Sequence, residues 1–331
     1  MRNSKYIHLL LLSLLFCTCN SDWTDVETKK AVHPLEKAED YFKNLRAYKS
    51  IMSERQVAFG WFGGWTAKGP SMVTRLQAVP DSVDIISIWG KYSDLDKLQQ
   101  EDLKYVQDVL GTKVTFTIFA HEVPAPFEAT TEGVELYAKA LADTMHKYNY
   151  DGIDLDYEPG YGGVGPLVGH NNALMKDFVT ALSKYFGPAS GTNKLLMIDG
   201  VPYAVHSELA PLFNYGIVQS YASWGDGDLQ KRFNSANSKG WKPEQYIFTE
   251  NFESYWRTGG TSAFSHVDDA TGKVTSMNSL KGMALFNPKV NNKQTRKGGC
   301  GTYHMEYEYA NPESDYKYLR EAIQIMNPAA R

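Results

Sequence analysis

Tyr150-Asp151-Gly152-Ile153-Asp154-Leu155-Asp156-Tyr157-Glu158-Pro159 alternates apolar and acidic residues, and that alternation is the period of an extended strand. Successive side chains on a strand point to opposite faces, so Asp154, Asp156 and Glu158 form one row, with neighbours roughly 6.5–7 Å apart. Ile153, Leu155 and Tyr157 form the other row. In a closed barrel one of these faces looks into the interior and the other meets the surrounding helices. Three carboxylates in an interior row repel one another and lose their hydration, so at least one is expected to keep a proton at neutral pH. A strand built only for packing would carry Val, Ile or Leu there. The plainer reading is a solvent-facing strand with its carboxylates in water.

Working outward from this stretch, seven further runs rich in β-branched and aromatic residues read as strands: Val57–Trp61, Val83–Trp89, Val114–Ala120, Leu195–Gly200, Ile217–Tyr221, Tyr246–Glu250 and Gly301–Met305. Helical patterns lie between them. Ser93-Asp94-Leu95-Asp96 reads as a capping box opening a helix to Leu110. Val134, Tyr137, Ala138, Leu141, Met145 and Tyr148 follow helical spacing, as do Leu174, Phe178, Leu182 and Tyr185 up to the Gly187-Pro188 stop. Asp315 to Met326 gives a last helix. The alternation predicts an α/β fold, a (β/α)8 TIM barrel in one domain, with Leu35 to Met52 as an N-terminal helical extension. The chain has 331 residues, enough for a barrel of about 250 with an extension. An open doubly wound sheet is the alternative, but no Gly-rich dinucleotide fingerprint follows the first strand.

The start of the chain reads differently. Arg2 and Lys5 precede an apolar run from Ile7 to Cys17 that is too short to span a bilayer. The run and its sequel resemble a bacterial lipoprotein signal, with residues 1–18 removed and Cys19 lipidated. Cys19 is preferred to Cys17 because the small Thr18 precedes it; a plain signal peptide is the simpler reading. The acidic residues after Cys19 resemble the export signal of Bacteroidetes surface lipoproteins, which implies an outer-membrane or cell-surface location through a lipid anchor. Residues 19–34 read as a tether and 35–331 as the barrel. The formal net charge of −4 argues against a nucleic-acid partner. The three cysteines, Cys17, Cys19 and Cys300, exclude a disulfide framework or a cysteine-rich zinc site, and Cys300 reads as a small buried hydrophobe. A monomer is expected.

The acidic run resembles the Asp-x-x-Asp-x-Asp-x-Glu signature of glycoside hydrolase family 18, complete here as Asp151, Asp154, Asp156 and Glu158. Gln219-Ser220-Tyr221 matches the Gln-x-Tyr of that family's endo-β-N-acetylglucosaminidase branch. The resemblance implies a retaining hydrolase with substrate-assisted catalysis, an exception to the two-carboxylate pattern. Glu158 would be the general acid and then base, Asp156 would orient the substrate acetamide, and Asp154 would share a proton with Asp156. Tyr221 and Gln219 would hold the acetamide, and Asp151 would be structural. The bond cut would be the β-1,4 link between the two GlcNAc residues of an N-glycan core, with neither metal nor organic cofactor. The alternatives are a chitinase-type hydrolase of GlcNAc polymers, a peptidoglycan or spore-coat hydrolase, and a non-catalytic surface glycan-binding protein.

Aromatic residues make up 13% of the chain, and many fall just after the expected strands, where a barrel carries its active site. Trp61, Trp65, Trp89, Tyr203, Trp224 and Trp256 are expected on that rim, with Trp61, Trp89, Tyr203, Trp224 and Trp256 as sugar-stacking candidates. Ordinary core packing is the alternative for each. Gly160, Gly162, Gly163 and Gly165 suggest close backbone approach or a mobile loop. The polar stretch from Arg257 to Met277 reads as a long loop over the site.

Overall fold

A computed structural model describes residues 37–328; the expected signal and tether, with Cys17 and Cys19, lie outside that range. Eight parallel strands close into a barrel: β1 (Val57–Phe62), β2 (Ile85–Ile88), β3 (Lys113–Phe119), β4 (Gly152–Tyr157), β5 (Leu195–Gly200), β6 (Tyr215–Gln219), β7 (Tyr246–Asn251) and β8 (Gly299–Tyr303). β8 closes the ring on β1, from Val57 beside Gly299 to Gly60 beside Thr302. Two strands are shifted by two residues from the sequence reading, and most of the others differ from it by one or two residues at an end. β6 begins at Tyr215 and leaves Tyr221 beyond its end. β8 ends at Tyr303, because His304 adopts a left-handed conformation (φ 51°) and Met305 opens a 3₁₀ turn.

The helical layer is made of α1 (Glu39–Ser50), α2 (Lys97–Asp108), α3 (Thr131–Tyr148), α4 (Ala173–Leu182), α5 (Asp226–Asn237), α6 (Ser279–Leu285) and α7 (Lys317–Met326). It is less regular than the expected alternation. The crossover after β1 holds only 3₁₀ turns (Met72–Thr74 and Leu76–Ala78), and so does the one after β5 (Pro202–Ala204 and Ser207–Leu212). Pro211, inside the Ser207–Leu212 turn, works against an α-helix there, since it lacks the N–H that an interior α-helical position requires. The capping box of α2 also differs: Asp96 accepts from the Gln99 amide at 3.1 Å while Gln99 Oε1 accepts from the Asp96 amide at 3.2 Å. Asp94 stands outside it with a left-handed backbone (φ 51°).

The chain enters β4 through a defined stop. Asn149 closes α3 in the left-handed conformation (φ 57°), donating its amide back to His146 and Met145. Gly152 then lets β5 approach, since a Cβ there would lie 2.3 Å from the Leu195 carbonyl oxygen. Asp151 holds the entrance: it accepts from Gln107 Nε2 at 2.8 Å, from the Val114 amide at 3.0 Å and from Lys113 Nζ at 3.1 Å.

Inside the barrel, Val57, Phe59, Trp61, Ile85, Leu195, Met197, Tyr215, Ile217 and Ile247 form an apolar plug. A larger apolar layer lies between strands and helices and includes Cys300, Leu155 and Tyr157. Burial pushes the Cys300 thiol up to about 11, so it stays neutral. Below the plug, buried Asp84 accepts two guanidinium hydrogen bonds from Arg55 and one from the Ala58 amide at 2.8 Å. The Asp84→Ala variant leaves the Arg55 charge unpaired in a dry setting, and a loss of about 3–5 kcal/mol in urea unfolding is expected; an unchanged midpoint would contradict this.

Candidate active site

β4 turns Asp154 and Asp156 into the barrel above the plug, and Glu158 follows just past the strand end at the mouth. Asp154 is fully buried. Its Oδ2 accepts from Trp61 Nε1 at 2.8 Å and from Thr117 Oγ1 at 3.3 Å, and Thr117 is in turn bonded to Ser87 Oγ at 2.8 Å. Asp156 is 5% exposed, and its Oδ1 has no hydrogen-bond partner. On the next strand Asp199 stands beside Asp156 in register, and its Oδ1 accepts from Gln219 Nε2 at 2.9 Å. Gly200 (φ 86°) follows, and a Cβ there would come within 2.9 Å of Glu158 Cγ.

Burial without compensating charge raises the acids, as the alternation in the sequence suggested. Desolvation moves Asp154 up to about 6, against the hydrogen bonds from Trp61 and Thr117. Desolvation, then the charges of Glu158 and Asp154, moves Asp156 up to about 8. Asp199 is raised well above its ordinary value, first by burial and then by Asp154 and Asp156. The Tyr221 phenol is also raised, chiefly by burial and next by Asp199. Among the described residues no Lys or Arg forms an ion pair with Asp154, Asp156 or Asp199, so protons rather than cations neutralise the cluster.

Two cavities meet over these residues. The smaller, ≈ 250 Å³, is lined by Trp61, Trp89, Phe119, Asp156, Glu158, Asp199, Gln219, Tyr221 and Tyr303. Tyr221 stacks near Tyr303 (centroids 6.1 Å apart, 26° between planes), and Trp89 meets Tyr303 edge-on at 5.4 Å. The larger, ≈ 590 Å³, shares Glu158, Gln219 and Tyr221 with it and extends past Tyr161 and Tyr203 to Asp228, Lys231 and Arg232 on α5. An acid accessible from both cavities, with buried, partly protonated carboxyls beneath it and aromatic walls around it, suits proton transfer to a bond that spans the two.

Six of the expected site residues, Glu158, Asp156, Trp61, Trp89, Tyr221 and Gln219, line the small cavity, and Asp154 lies beneath it, bonded to Trp61. Tyr203 lines the large one. Trp65 is turned away from the rim: it is buried, and its Nε1 donates to Asp102 at 2.9 Å. Trp224 is 65% exposed and Trp256 lies under the Arg257 guanidinium at 4.0 Å; neither lines these two cavities. The stretch from Arg257 to Met277 is not a structureless loop. Phe264–Val267 and Val274–Met277 pair as a hairpin, fixed to the α5 start by Asp226, which accepts from the Val267 amide at 2.8 Å. The glycine run after Glu158 folds back through a bridge between Pro159 and Gly163, which carries Tyr161 to the cleft edge.

Sequence reasoning passed over Asp199, Tyr303 and Phe119. The period-2 signal was present for Asp199, which continues the inward row Leu195, Met197. Phe119 likewise ends the row Thr115, Thr117 on β3, and Tyr303 became visible only once β8 was placed two residues earlier.

Because Asp156 keeps its proton to higher pH when folded than the ordinary 3.8, the folded state binds more protons than the unfolded chain between pH about 4 and about 8. Its contribution to stability is therefore present below pH 4 and lost as pH rises through 8. Asp156→Asn removes that loss. Its melting temperature is expected to match wild type near pH 4 and exceed it increasingly toward pH 8, by more than about 1 kcal/mol in stability. A constant offset across that range in calorimetry would contradict the assignment.

The chain matches the family model described as glycoside hydrolase family 18, BT1044-like, over residues 22–135 and 127–325. It is 30% identical over 241 residues to endo-beta-N-acetylglucosaminidase F2 of Elizabethkingia meningoseptica, covering 67% of this chain and 69% of that protein. Among solved structures it is similar to a selenomethionine form of a Glu-to-Gln variant of BT1044, with 32% identity and a TM-score of 0.75 over 88% of this chain and 95% of that one. The fold is also that of the apo endo-beta-N-acetylglucosaminidase from Cordyceps militaris, at 24% identity and a TM-score of 0.64, over 88% of this chain and 97% of that one.

Proposed function

Since the chain belongs to glycoside hydrolase family 18, BT1044-like, and is a glycosidase, we propose that it cleaves the β-1,4 bond between the two GlcNAc residues of an N-glycan core. The observation that carries this reading is the small cavity in which Asp156, Glu158, Gln219 and Tyr221 converge on a space suited to one sugar ring. Glu158, open to both cavities, protonates the leaving glycosidic oxygen and then takes a proton from the incoming water. The substrate's own acetamide oxygen attacks the anomeric carbon, so no enzyme nucleophile is needed. Asp156 faces the acetamide nitrogen and stabilises the positive charge that develops there. Gln219 and the Tyr221 hydroxyl hold the acetamide oxygen in line. Return of water to the face that the leaving group vacated retains the configuration.

Support for the N-glycan reading over a GlcNAc polymer comes from the Gln219-Ser220-Tyr221 motif and from the curated relative, whose name is that of an endo-β-N-acetylglucosaminidase. Mass spectrometry of a glycoprotein before and after treatment is expected to leave a single GlcNAc on each released site. Cleavage of chitin oligomers alone would overturn the reading. Glu158→Gln is expected to lower turnover by about 10²–10⁴-fold while binding of the intact glycopeptide stays within a few fold. Wild-type turnover in that variant would remove Glu158 from the acid role.

We further propose that the mature protein is held at the outer membrane or cell surface by acyl chains on Cys19, a reading that rests on the sequence of residues 1–25. Wild-type protein is expected in the membrane fraction and labelled by fatty acid, whereas Cys19→Ala is soluble and unlabelled. Retained labelling in Cys19→Ala that is lost in Cys17→Ala would move the anchor to Cys17.

A further inference from the structure

Asp199 is a buried ionisable group at the bottom of the site for which the mechanism above has no task. Strand register places it: β5 pairs with β4 so that Asp199 stands beside Asp156, with Met197 beside Asp154 one inward step below. Asp154 and Asp199 each commit one oxygen to neighbours. Asp154 Oδ2 accepts from Trp61 and Thr117, and Asp199 Oδ1 accepts from Gln219. Their other oxygens, Asp154 Oδ1 and Asp199 Oδ2, are buried and reached by no donor. The two carboxyls stand diagonally on paired strands, one inward step apart, each with an unsatisfied oxygen in the barrel interior. If both were ionised they would repel. With one proton between them they form a charge-assisted O–H···O⁻ bond that gives one orphan oxygen a donor and the other an acceptor.

We propose that Asp199 is a positioning residue for the reaction: it shares one proton with Asp154 and at the same time fixes which way the Gln219 amide points. A Gln amide offers two N–H donors and one oxygen. With one N–H given to Asp199, Gln219 Oε1 and the second N–H are left for the substrate acetamide, and the flipped amide is disfavoured because it would set oxygen against oxygen. The groups that face Asp199 are Asp154 and Asp156 from β4, Glu158 beyond it, and Gln219 and Tyr221 from β6 and its end. None of them is a cation. The inference rests on the glycosidase reading above, since the acetamide is what Gln219 would hold.

Two substitutions separate the two tasks. In Asp199→Asn the new side chain is nearly isosteric, and its amide oxygen can still accept from Gln219 while its N–H₂ donates to an ionised Asp154. This variant is therefore expected to keep KM within about twofold and to lose from the kcat/KM profile the titration of the shared proton, because the pair's second ionisation no longer exists. Asp199→Ala frees Gln219, so KM is expected to rise about tenfold in addition. Kinetics on an N-glycopeptide with a chitobiose core, with melting temperatures to confirm folding, read both. A wild-type profile for Asp199→Asn, or a wild-type KM for Asp199→Ala, would overturn the proposal. If the wild-type protein cuts no glycopeptide, the functional reading fails first. Infrared spectra of the substrate-free protein at neutral pH then decide proton sharing. A protonated-carboxyl band that weakens in Asp199→Asn supports it, and an unchanged band overturns it.

Discussion

The cost of burying carboxyl groups governs this molecule. Asp154, Asp156 and Asp199 stand together above an apolar plug, with no lysine or arginine among the described residues paired to them. A cation would settle their charge most simply, but it would also fill the space in which a sugar must lie. The barrel uses hydrogen-bond donors without charge instead: the Trp61 indole, the Thr117 hydroxyl and the Gln219 amide. The remainder of the cost is met by retained protons. The cationic groups of the neighbourhood, Lys231 and Arg232, line the far part of the large cleft on α5, and Arg232 is already engaged by Asp228 at 3.1 Å.

This arrangement divides the barrel along its axis. The lower interior is a packed apolar plug from Val57, Phe59, Ile85, Leu195, Met197, Tyr215, Ile217 and Ile247, and beneath it lies the Arg55–Asp84 pair. The upper half gives up apolar packing for polar groups in a row, and the strands that supply them stay in place because helices and turns outside them are fully packed.

How much of this the sequence made legible depends on the length scale of each signal. Strand periodicity is local, so the row Asp154, Asp156, Glu158 was readable, and so was the strand count that closes the barrel. Trp65 was misplaced because its sequence position says only that it follows β1; the direction of its ring is set by Asp102 on a helix 37 residues away. Residues 257–277 look polar and irregular because a two-stranded hairpin in contact with water needs little apolar sequence, and its fixed point, Asp226, comes from another crossover. Asp199 was legible in principle on its own strand. Its meaning arises only from the pairing of β5 with β4, which one strand's sequence does not specify.

Gly200 gives Glu158 its place by leaving out a side chain. The room that Glu158 occupies on the β5 side is the room a Cβ at Gly200 would need, only 2.9 Å from Glu158 Cγ. The acid is thus bounded laterally by main chain, which does not yield as a rotamer does, and its freedom is confined to the directions that open on the cavities. In the acid role proposed for Glu158, much of the entropy of aligning donor and leaving oxygen is in this way surrendered when the chain folds, before any sugar arrives.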